Sequence, residues 1–380
     1  MSERFDAVVV GAGPAGSSAA AVLAGLGRAV LLLEKDAFPR HKVCGEFLSA
    51  DALVSLERIG AREAVEGASA ERMSRGALHL STGRTVTFRL PATALGISRF
   101  TLDDVLARRA SEAGADVRFT ARVLAAEPLA RKEFRVRFVH RQTEREVDAL
   151  AVIGAWGRWD ALDRTLERGF LARRSRFYGW SRDFGGDAGF LRGEVRLYLF
   201  PGGYCGLSRV ENGAVNLAGV VSEEVRKRAR GAWSSVVEWA RHGNARLDSD
   251  LARLEPGPIG FLGTGPVFFT RKPPTENGLL MAGDAAGVID PFSGEGQASA
   301  LASGILAAES AERLLSGELS REECARAYAE EWRRRFARRF AWSAAFRRLI
   351  LSQRIGAIAG RLAGERLVRF ALARWGQAHS

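Results

Sequence analysis

The chain is poor in the residues that build disulfides, metal sites and membrane spans. Its 380 residues include three cysteines and five histidines, all widely scattered and without a CxxC spacing. This pattern argues against a disulfide framework and a zinc site, so we expect no bound metal. No apolar stretch approaches the roughly 18 residues of a membrane-crossing helix. The start MSERFD lacks the cationic region and apolar run of a signal peptide, which predicts a cytoplasmic protein.

Lysine is also scarce, and the positive charge comes almost entirely from arginine. Five lysines and 51 arginines give a net charge of +12. The run WRRRFARR begins at Trp332, and Trp332, Phe336 and Phe340 fall on one helical face. One interpretation is a solvated helix packed on the domain. The other is peripheral docking on an anionic phospholipid surface or an acidic carrier protein. Nucleic acid is not expected, because no nucleic-acid motif accompanies the charge.

What the chain does contain is a dinucleotide-binding signature near its start. The residues VVVGAGPAGSS place a GxGxxG directly behind an apolar strand, and the small residues that follow predict a helix. The first glycine permits a tight turn, the second lets backbone N–H groups reach a pyrophosphate, and the third lets the helix close on the strand. We assign the motif to the cofactor: Gly11, Ala12, Gly13, Pro14, Ala15 and Gly16.

The βαβ unit ends in an acidic residue that indicates the same kind of ligand. A second apolar run, Ala29 to Leu33, leads to Glu34, 18 positions after Gly16. A carboxylate there can accept hydrogen bonds from adenosine ribose hydroxyls, so the ligand is expected to be FAD or NAD and not a 2′-phosphorylated cofactor. Lys35, the next residue, is assigned to the same site.

A second glycine-rich segment, residues 278–302, has the features of a flavin site. A buried strand delivers Asp284 to a turn, where its carboxylate can accept a hydrogen bond from a polyol chain. Pro291 stiffens the following loop, and the sequence GEG at 294–296 begins a helix with small side chains near its start. A flat ring can lie against that helix end, whose dipole would stabilise negative charge on a reduced flavin by about 0.3 to 2 kcal/mol.

The order of predicted elements gives an α/β fold with an interrupted cofactor domain. After the first βαβ unit the sequence predicts a helix capped by Ser49, strands around a turn at 81–83, a helix over 98–113 and further strands to residue 153. The middle is β-rich, with 192–200 and 214–221 flanking a turn at 211–213 as a large hairpin. A buried strand at 279–282 restores the α/β character, and everything after residue 295 is predicted as helix.

Together these segments resemble the para-hydroxybenzoate hydroxylase-like flavoproteins, and within them the branch of geranylgeranyl reductases and related FAD monooxygenases. The resemblance covers most of residues 1–320 and is carried by VVVGAGPAG, Glu34, PRHKVCGEFLS, ISRFTLDDVLARRA and GDAAGVIDPFSGEGQASA. It implies that Arg99 contacts FAD, that Val123 lies beside the adenine and that Asp284 meets the ribityl chain. The remaining residues assigned to FAD are Arg40, Arg99, Val123, Gly283, Asp284, Gly294, Gly296 and Gln297.

The resemblance also implies the domain organisation. A Rossmann-like FAD-binding domain of the GR2 type is expected, interrupted by a β-rich substrate domain and followed by C-terminal helices. We expect the FAD-binding domain to take residues 1–75, 98–172 and 265–320, the substrate domain 76–97 and 173–264, and the C-terminal helical region 321–380.

One element departs from the family pattern. Many of these hydroxylases carry an Asp-Gly pair after the strand at 149–153, linked to FAD and nicotinamide contacts, whereas this chain has GAWGR at 154–158. No second GxGxxG is present to hold NADPH, which is usual in the family. NAD(P)H is expected as a transient reductant. Arg40 and Lys42 are candidates to offset pyrophosphate charge or to steer a nicotinamide, unless they are solvated loop cations.

Cys44 is the candidate for a catalytic side chain. It lies in the loop that, by resemblance, approaches the flavin ring, and it is either a small buried hydrophobe or a substrate contact or proton donor. Phe200 and Tyr204 fall where the reductases carry a motif lining the substrate tunnel, although core packing also explains Phe200. Phe292, a bulky side chain in the loop before the flavin-site helix, is the candidate for the ring wall.

We therefore expect an FAD-dependent oxidoreductase acting on a lipophilic small molecule, lipid-borne or tethered to a carrier protein. The favoured reaction is NAD(P)H-dependent monooxygenation of an aromatic, polyketide or isoprenoid substrate, in which the protein supplies orientation and the flavin supplies the chemistry. The alternative is reduction of a carbon–carbon double bond. A halogenase is third, because the WxWxIP signature of the tryptophan halogenases is missing. A non-catalytic flavin-binding protein is the alternative from a different class.

Overall fold

The computed structural model describes residues 3–129 and 133–351, and within them the chain forms two eight-stranded sheets and ten helices. The strands are β1 (Glu3–Val10), β2 (Val30–Leu33), β3 (Phe47–Leu48), β4 (Glu71–His79), β5 (Thr85–Gly96), β6 (Asp116–Arg118), β7 (Ala121–Pro128), β8 (Phe134–His140), β9 (Thr143–Gly154), β10 (Phe177–Gly185), β11 (Glu194–Phe200), β12 (Gly203–Arg209), β13 (Val215–Ser222), β14 (Glu255–Pro266), β15 (Thr275–Glu276) and β16 (Leu279–Met281). The helices are α1 (Pro14–Gly25), α2 (Ala50–Arg58), α3 (Arg62–Gly67), α4 (Arg99–Glu112), α5 (Ala161–Thr165), α6 (Glu223–Arg228), α7 (Trp233–Gly243), α8 (Ala245–Leu251), α9 (Gly296–Leu315) and α10 (Arg321–Leu351).

The first sheet is built around five parallel strands in the order β16, β9, β1, β2 and β6. Strands β7 and β8 form an antiparallel meander that returns to β9, and β15 pairs antiparallel with β16. All of β2 and the last four residues of β1 are buried. Continuous apolar runs are typical of parallel strands that are covered on both faces. The apolar runs of β1 and β2 therefore predict these strands despite their short length.

Helices α1 and α9, which begin beside this sheet, cross at close range. A Cβ added to Gly304 of α9 would lie 2.1 Å from the carbonyl oxygen of Ala15 in α1. The Ser18 hydroxyl of α1 donates to the Leu301 carbonyl oxygen of α9 at 3.2 Å. Small residues therefore let two helices from opposite parts of the sequence pack backbone to backbone.

The second sheet runs in the order β14, β10, β13, β12, β11, β4, β5 and β3. Its neighbours are antiparallel except for β4 and β11, which are parallel. Trp180, Tyr198 and Leu217 are fully buried in a core of its own. The sheet draws on three stretches of chain, at 47–48, 71–96 and 177–266, so the chain crosses between the two sheets several times.

Most predicted elements are present, and the differences lie in the middle of the chain. The segment at 192–221 holds three strands, because a tight turn at Pro201-Gly202 joins β11 to β12, and the turn at 211–213 joins β12 to β13. The predicted large hairpin is therefore wrong. Gly202 has a φ of +79°, which permits that turn. Helices α6, α7 and α8 were also not predicted.

The long helix α10 follows α9 after a break at residues 316–320, so the region after residue 295 is helical up to residue 351. The rest of the predicted C-terminal helical region, 352–380, lies outside the described residues. Within residues 3–129 and 133–351, no helix is both long and apolar enough to cross a membrane.

Candidate functional site

A cavity of about 280 Å³ lies at the carboxyl ends of β1, β2 and β9 and extends to the face of the second sheet. Both glycine-rich segments open onto it, and so does the loop that carries Cys44. Ligand sites of open α/β sheets lie outside the carboxyl ends of the strands, as this one does. It is therefore the candidate functional site.

The first glycine motif shapes one end of the cavity through its backbone. Gly11 has a φ of +102°, and a Cβ there would lie 2.6 Å from the carbonyl oxygen of Ala155. A Cβ on Gly16 would lie 1.7 Å from the Gly11 carbonyl oxygen, so both positions require glycine. At Gly13 a Cβ would meet Arg99 Nη2 at 3.6 Å, an ordinary contact. The protein itself thus leaves room above Gly13, at the N-terminus of α1, where a pyrophosphate would bind.

Glu34 is buried at the end of β2 and is fixed by the backbone. Its Oε2 accepts from the Ala12 N–H at 2.8 Å and its Oε1 accepts from the Asp36 N–H at 3.0 Å. The carboxylate lines the cavity with oxygen lone pairs to spare, as a ribose partner requires. Lys35 and Val123 lie on the same wall, and Lys35 pairs with Asp160 at 2.6 Å.

Besides Lys35 and Arg122, four cationic side chains line the cavity: Arg40, Lys42, Arg99 and Arg158. Asp103, which is fully buried, binds Arg99 through two contacts of 2.6 Å and Arg40 through one of 2.9 Å. Burial, with the neighbouring arginine charges, lowers the pKa of Lys42 to about 8. Arg40 also pairs with Asp36 at 3.2 Å and lies 3.7 Å from Glu34. Lys42 and Arg158 add further positive charge to the wall, so the site is complementary to a ligand with a negatively charged diphosphate.

The second glycine-rich segment forms the other end. The Lys272 ammonium donates to the carbonyl oxygens of Asp284 (2.8 Å) and Arg158, which fixes the turn that presents Asp284 to the cavity. Gly294 has a φ of +66° and precedes α9. A Cβ on Gly296 would first meet Ile289 at 4.0 Å, so the start of α9 is bare. A flat ring has room there.

Cys44 lies at this bare helix start. Its Sγ accepts from the Gln297 side-chain amide at 3.3 Å and from the Glu46 N–H at 3.4 Å. Burial raises the pKa of the Cys44 thiol above its usual range, although the Arg99 charge acts in the opposite direction. Burial also raises the pKa of Glu46 to about 8, while its Oε1 accepts from the Arg99 N–H at 2.9 Å. The pair is thus a protonated thiol beside a carboxyl group that titrates near neutral pH.

Two aromatic residues, Tyr204 and Phe292, form another part of the cavity wall. The Tyr204 hydroxyl of β12 donates to Asp290 Oδ1, and the Phe292 ring lies edge-on to Tyr204 with ring centroids 5.3 Å apart. Asp290 also accepts from the Phe292 N–H at 2.9 Å and from Arg347 of α10 at 3.4 Å. Phe200 does not join this wall. Its side chain packs in the core of the second sheet, because alternate residues of β11 point to opposite faces.

Sequence reasoning missed several residues of the site. Trp156 and Arg158, from the segment that departs from the family pattern, both line the cavity. Among the described side chains, Trp156 Nε1 and Gln297 Oε1 are buried polar atoms with no hydrogen-bond partner, which suits a ligand that supplies one. Glu46 and Asp103 lay inside quoted motifs, so their residue types offered a signal. The contact between Asp290 and Arg347 offered none, since 57 residues separate them.

These observations fit FAD. At one end the glycines leave room for a diphosphate and the cations would balance its charge. At the other end the start of α9 is bare and lies beside polar atoms without a partner. Among residues 3–129 and 133–351, no three His, Cys, Asp or Glu side chains are arranged as metal ligands.

Comparison with known proteins gives the same cofactor. The FAD binding domain family matches residues 4–179. Digeranylgeranylglycerophospholipid reductase 1 of Methanopyrus kandleri is 30% identical over 343 residues, which cover 88% of this chain and 87% of that protein. Menaquinone reductase of Mycolicibacterium smegmatis is 28% identical over 329 residues, covering 81% and 76%.

Solved structures share the fold. A geranylgeranyl bacteriochlorophyll reductase-like protein from Thermoplasma acidophilum superposes with a TM-score of 0.79 at 22% identity, over 92% of this chain and 88% of that one. The myxobacterial chondrochloren halogenase gives a TM-score of 0.80 at 22% identity, over 90% and 82%. At this identity the likeness concerns the fold, which reductases and halogenases have in common.

Proposed function

The chain belongs to the para-hydroxybenzoate hydroxylase-like flavoproteins, in the same family as the digeranylgeranylglycerophospholipid reductases. We propose that it reduces carbon–carbon double bonds of a lipid-borne isoprenoid. That it is an FAD-dependent oxidoreductase follows from the family. The reductase reaction is our proposal, and it reverses the order of preference that the sequence favoured. The observation that supports it is the position of the Cys44 thiol, which accepts from the Gln297 amide at 3.3 Å at the bare start of α9.

Reduction of an isolated double bond needs a hydride at one carbon and a proton at the other. FAD held at the bare start of α9 would, once reduced, supply the hydride. The Cys44 S–H supplies the proton: the C=C π bond and the S–H bond break, and two C–H bonds form. Burial raises the pKa of this thiol, so the thiol keeps its proton until the second carbon of the double bond accepts it.

The groups around Cys44 suit the transfer of that proton. Arg99 lies close enough to stabilise the thiolate left after proton transfer, and the Gln297 amide donates to the sulfur at 3.3 Å. The Glu46 backbone N–H also donates to the sulfur at 3.4 Å, and the raised pKa of the Glu46 carboxyl group, about 8, limits negative charge beside the thiol at neutral pH. Tyr204 and Phe292 give the substrate side an aromatic wall that excludes water from this exchange.

The test is product analysis with the FAD-loaded protein. We expect anaerobic incubation with a geranylgeranylated glycerophospholipid and a chemical or nicotinamide reductant to add two hydrogens per double bond, detected by mass spectrometry. In deuterated water, deuterium should appear at the reduced carbons, because the thiol S–H exchanges with solvent. Menaquinone is the second substrate to try, because menaquinone reductases are among the similar proteins.

Cys44→Ala should lower the rate about 100-fold or more, within the range for loss of a positioned proton donor. Cys324→Ala, which removes a buried thiol of α10 outside the cavity, is the matched control and should retain the rate. Incorporation of oxygen from O₂ would replace this proposal with the monooxygenase reaction, and a chlorinated or brominated product would replace it with halogenation. A protein that binds FAD but converts none of these substrates would favour the non-catalytic alternative.

A further inference from the structure

Helix α10 has two faces with different surroundings. Trp332 and Phe336 are buried against the core of the first sheet, and Ser343 is buried as well. These positions recur every three to four or seven residues, so they define one side of the helix. We call this side the inner face.

Polar contacts from the inner face reach the wall of the cavity. The Ser343 hydroxyl accepts from the Asp290 N–H at 3.0 Å, and Arg347 pairs with the Asp290 carboxylate at 3.4 Å. Arg339 lies 3.5 Å from Glu295 and 3.1 Å from Asp51 of α2. The inner face therefore clamps the loop that carries Phe292, and Arg339 is a structural contact and not a free surface charge.

The opposite side is cationic and carries an exposed aromatic ring. Arg334, Arg338, Trp342 and Arg348 follow one another at helical spacing and are exposed, and Trp342 is 54% accessible. We call these four residues the outer face. Glu331, at its start, is paired with Arg334 and Arg335. From Trp332 to Leu351 the sequence contains seven arginines and no acidic residue.

We propose that the outer face of α10 docks on an anionic phospholipid surface. An exposed indole among arginines suits the headgroup region, where the ring inserts at the apolar boundary and the guanidinium groups meet phosphates. The clamp on the Asp290 loop then holds the aromatic wall of the cavity beside the membrane. This inference rests on the proposed function for the nature of the substrate, but membrane binding is measured without turnover.

Charge also argues against the chain's own C-terminus as the occupant. Residues 352–380 contain five arginines and one glutamate, so they repel the outer face. An acidic carrier protein would satisfy the arginines but offers no general reason for an exposed tryptophan in their midst. The lipid surface accounts for both.

The test is sedimentation of the full-length, FAD-loaded protein with vesicles at low salt. We expect binding to vesicles containing phosphatidylglycerol, weak binding to pure phosphatidylcholine, and release by added salt. The triple variant Arg334→Gln, Arg338→Gln, Arg348→Gln should bind about 100-fold more weakly, from roughly fivefold per arginine near an anionic surface. Trp342→Ala should lose several-fold at low and at high salt.

The matched control is Arg108→Gln, Arg141→Gln, Arg145→Gln, which removes three exposed arginines away from α10 and should bind as the unaltered protein does. Equal loss in both triple variants would show that net charge alone acts and would overturn the proposal. The proposal would also be overturned if the outer-face variant bound vesicles as tightly as the unaltered protein, or if the protein bound an acidic carrier protein and no vesicles. If the protein binds vesicles as expected but does not reduce the lipid, the proposed reaction is wrong and the proposed docking surface is supported.

Discussion

The diphosphate end of the cavity and its ring end are built in opposite ways. At the diphosphate end, Gly11, Gly13 and Glu34 come from a single βαβ unit, and backbone geometry fixes their positions. At the ring end, Cys44, Tyr204 and Phe292 come from three separate stretches of chain and are held by side-chain hydrogen bonds.

This difference determines what a substitution does at each end. An added methyl group is enough to damage a site made of backbone, because nothing there can move aside. A site made of side chains tolerates shape changes better but responds to the loss of a partner and to protonation. Substitutions at the first end should therefore affect folding and cofactor retention, and those at the second should affect turnover and pH dependence.

The largest effect is expected for Gly16→Ala. Its Cβ would lie 1.7 Å from the Gly11 carbonyl oxygen, and relief of that overlap must shift α1 against β1. We expect a loss of stability of about 3 kcal/mol or more, measured by urea unfolding. Gly13→Val is the companion variant, because that position has room in the protein itself. It should fold normally and purify without yellow flavin, and full flavin content in Gly13→Val would contradict the assignment of the diphosphate.

The next effect is a pH dependence at the ring end. Burial raises the pKa of Glu46 from 4.5 to about 8, so between these values the folded protein holds a proton that the unfolded chain releases. Stability should fall as pH rises through this window, by on the order of a few kcal/mol in total. Glu46→Gln should remove this slope in urea unfolding of the FAD-free protein.

Other groups do not mask this test. His79, whose pKa burial lowers to about 4, gives a slope of opposite sign below about pH 6.5. Lys42 adds stability only as pH rises above about 8. Both slopes are shared by the two proteins, so their difference isolates Glu46. Identical slopes in the parent and Glu46→Gln would mean that this carboxyl group is ionised in the folded state.

A smaller effect is expected for Glu34→Ala. The variant loses the charge-assisted hydrogen bonds to the ribose, on the order of 1.5 to 3 kcal/mol each at most. We expect FAD to dissociate at least tenfold more readily, measured by titration of the FAD-free protein. Because Glu34 also accepts two backbone N–H groups, Glu34→Gln is the control that keeps one acceptor. An unchanged dissociation constant in both variants would remove the ribose assignment.

The smallest effect contrasts two phenylalanines. Phe292→Leu alters the cavity wall and should lower kcat/KM several-fold with FAD content intact. Phe200→Leu alters a core position behind the wall, so it should cost about 1 kcal/mol of stability and leave kcat/KM unchanged. A larger fall in kcat/KM for Phe200→Leu than for Phe292→Leu would show that the wall is misplaced.

The two ends also differ in how far the sequence could predict them. The diphosphate end is local: the spacing of Gly11, Gly13 and Gly16 predicts a turn, a helix start and a ligand, and the structure has the turn and the helix at those residues. The fold class followed from the same βαβ unit and from the late strand at 279–281. Such features depend on residues a few positions apart, where spacing is informative.

The ring end depends on distant partners. Cys44, Tyr204 and Phe292 were predicted for it and line the cavity, but the contacts that hold them were not predicted. Strand β12 was not predicted, although only Pro201 and Gly202 separate it from β11. Phe200 was proposed for the substrate site, but the register of β11 turns it into the core. Nothing near Asp290 in the sequence indicates that Arg347 neutralises it.

The crossing of α1 and α9 has a consequence for ligand length. Gly304 lets the two helices touch at Ala15, so their starts, one facing the diphosphate and the other the ring, are held at a fixed separation by backbone contact. The helix pair therefore fixes the distance between the two positions at which the two ends of one ligand must bind. A flavin mononucleotide offers the start of α1 one phosphate in place of two and lacks the adenosine. The protein should therefore bind FAD more tightly than the shorter flavin, through this fixed separation together with the side chains assigned to the adenosine.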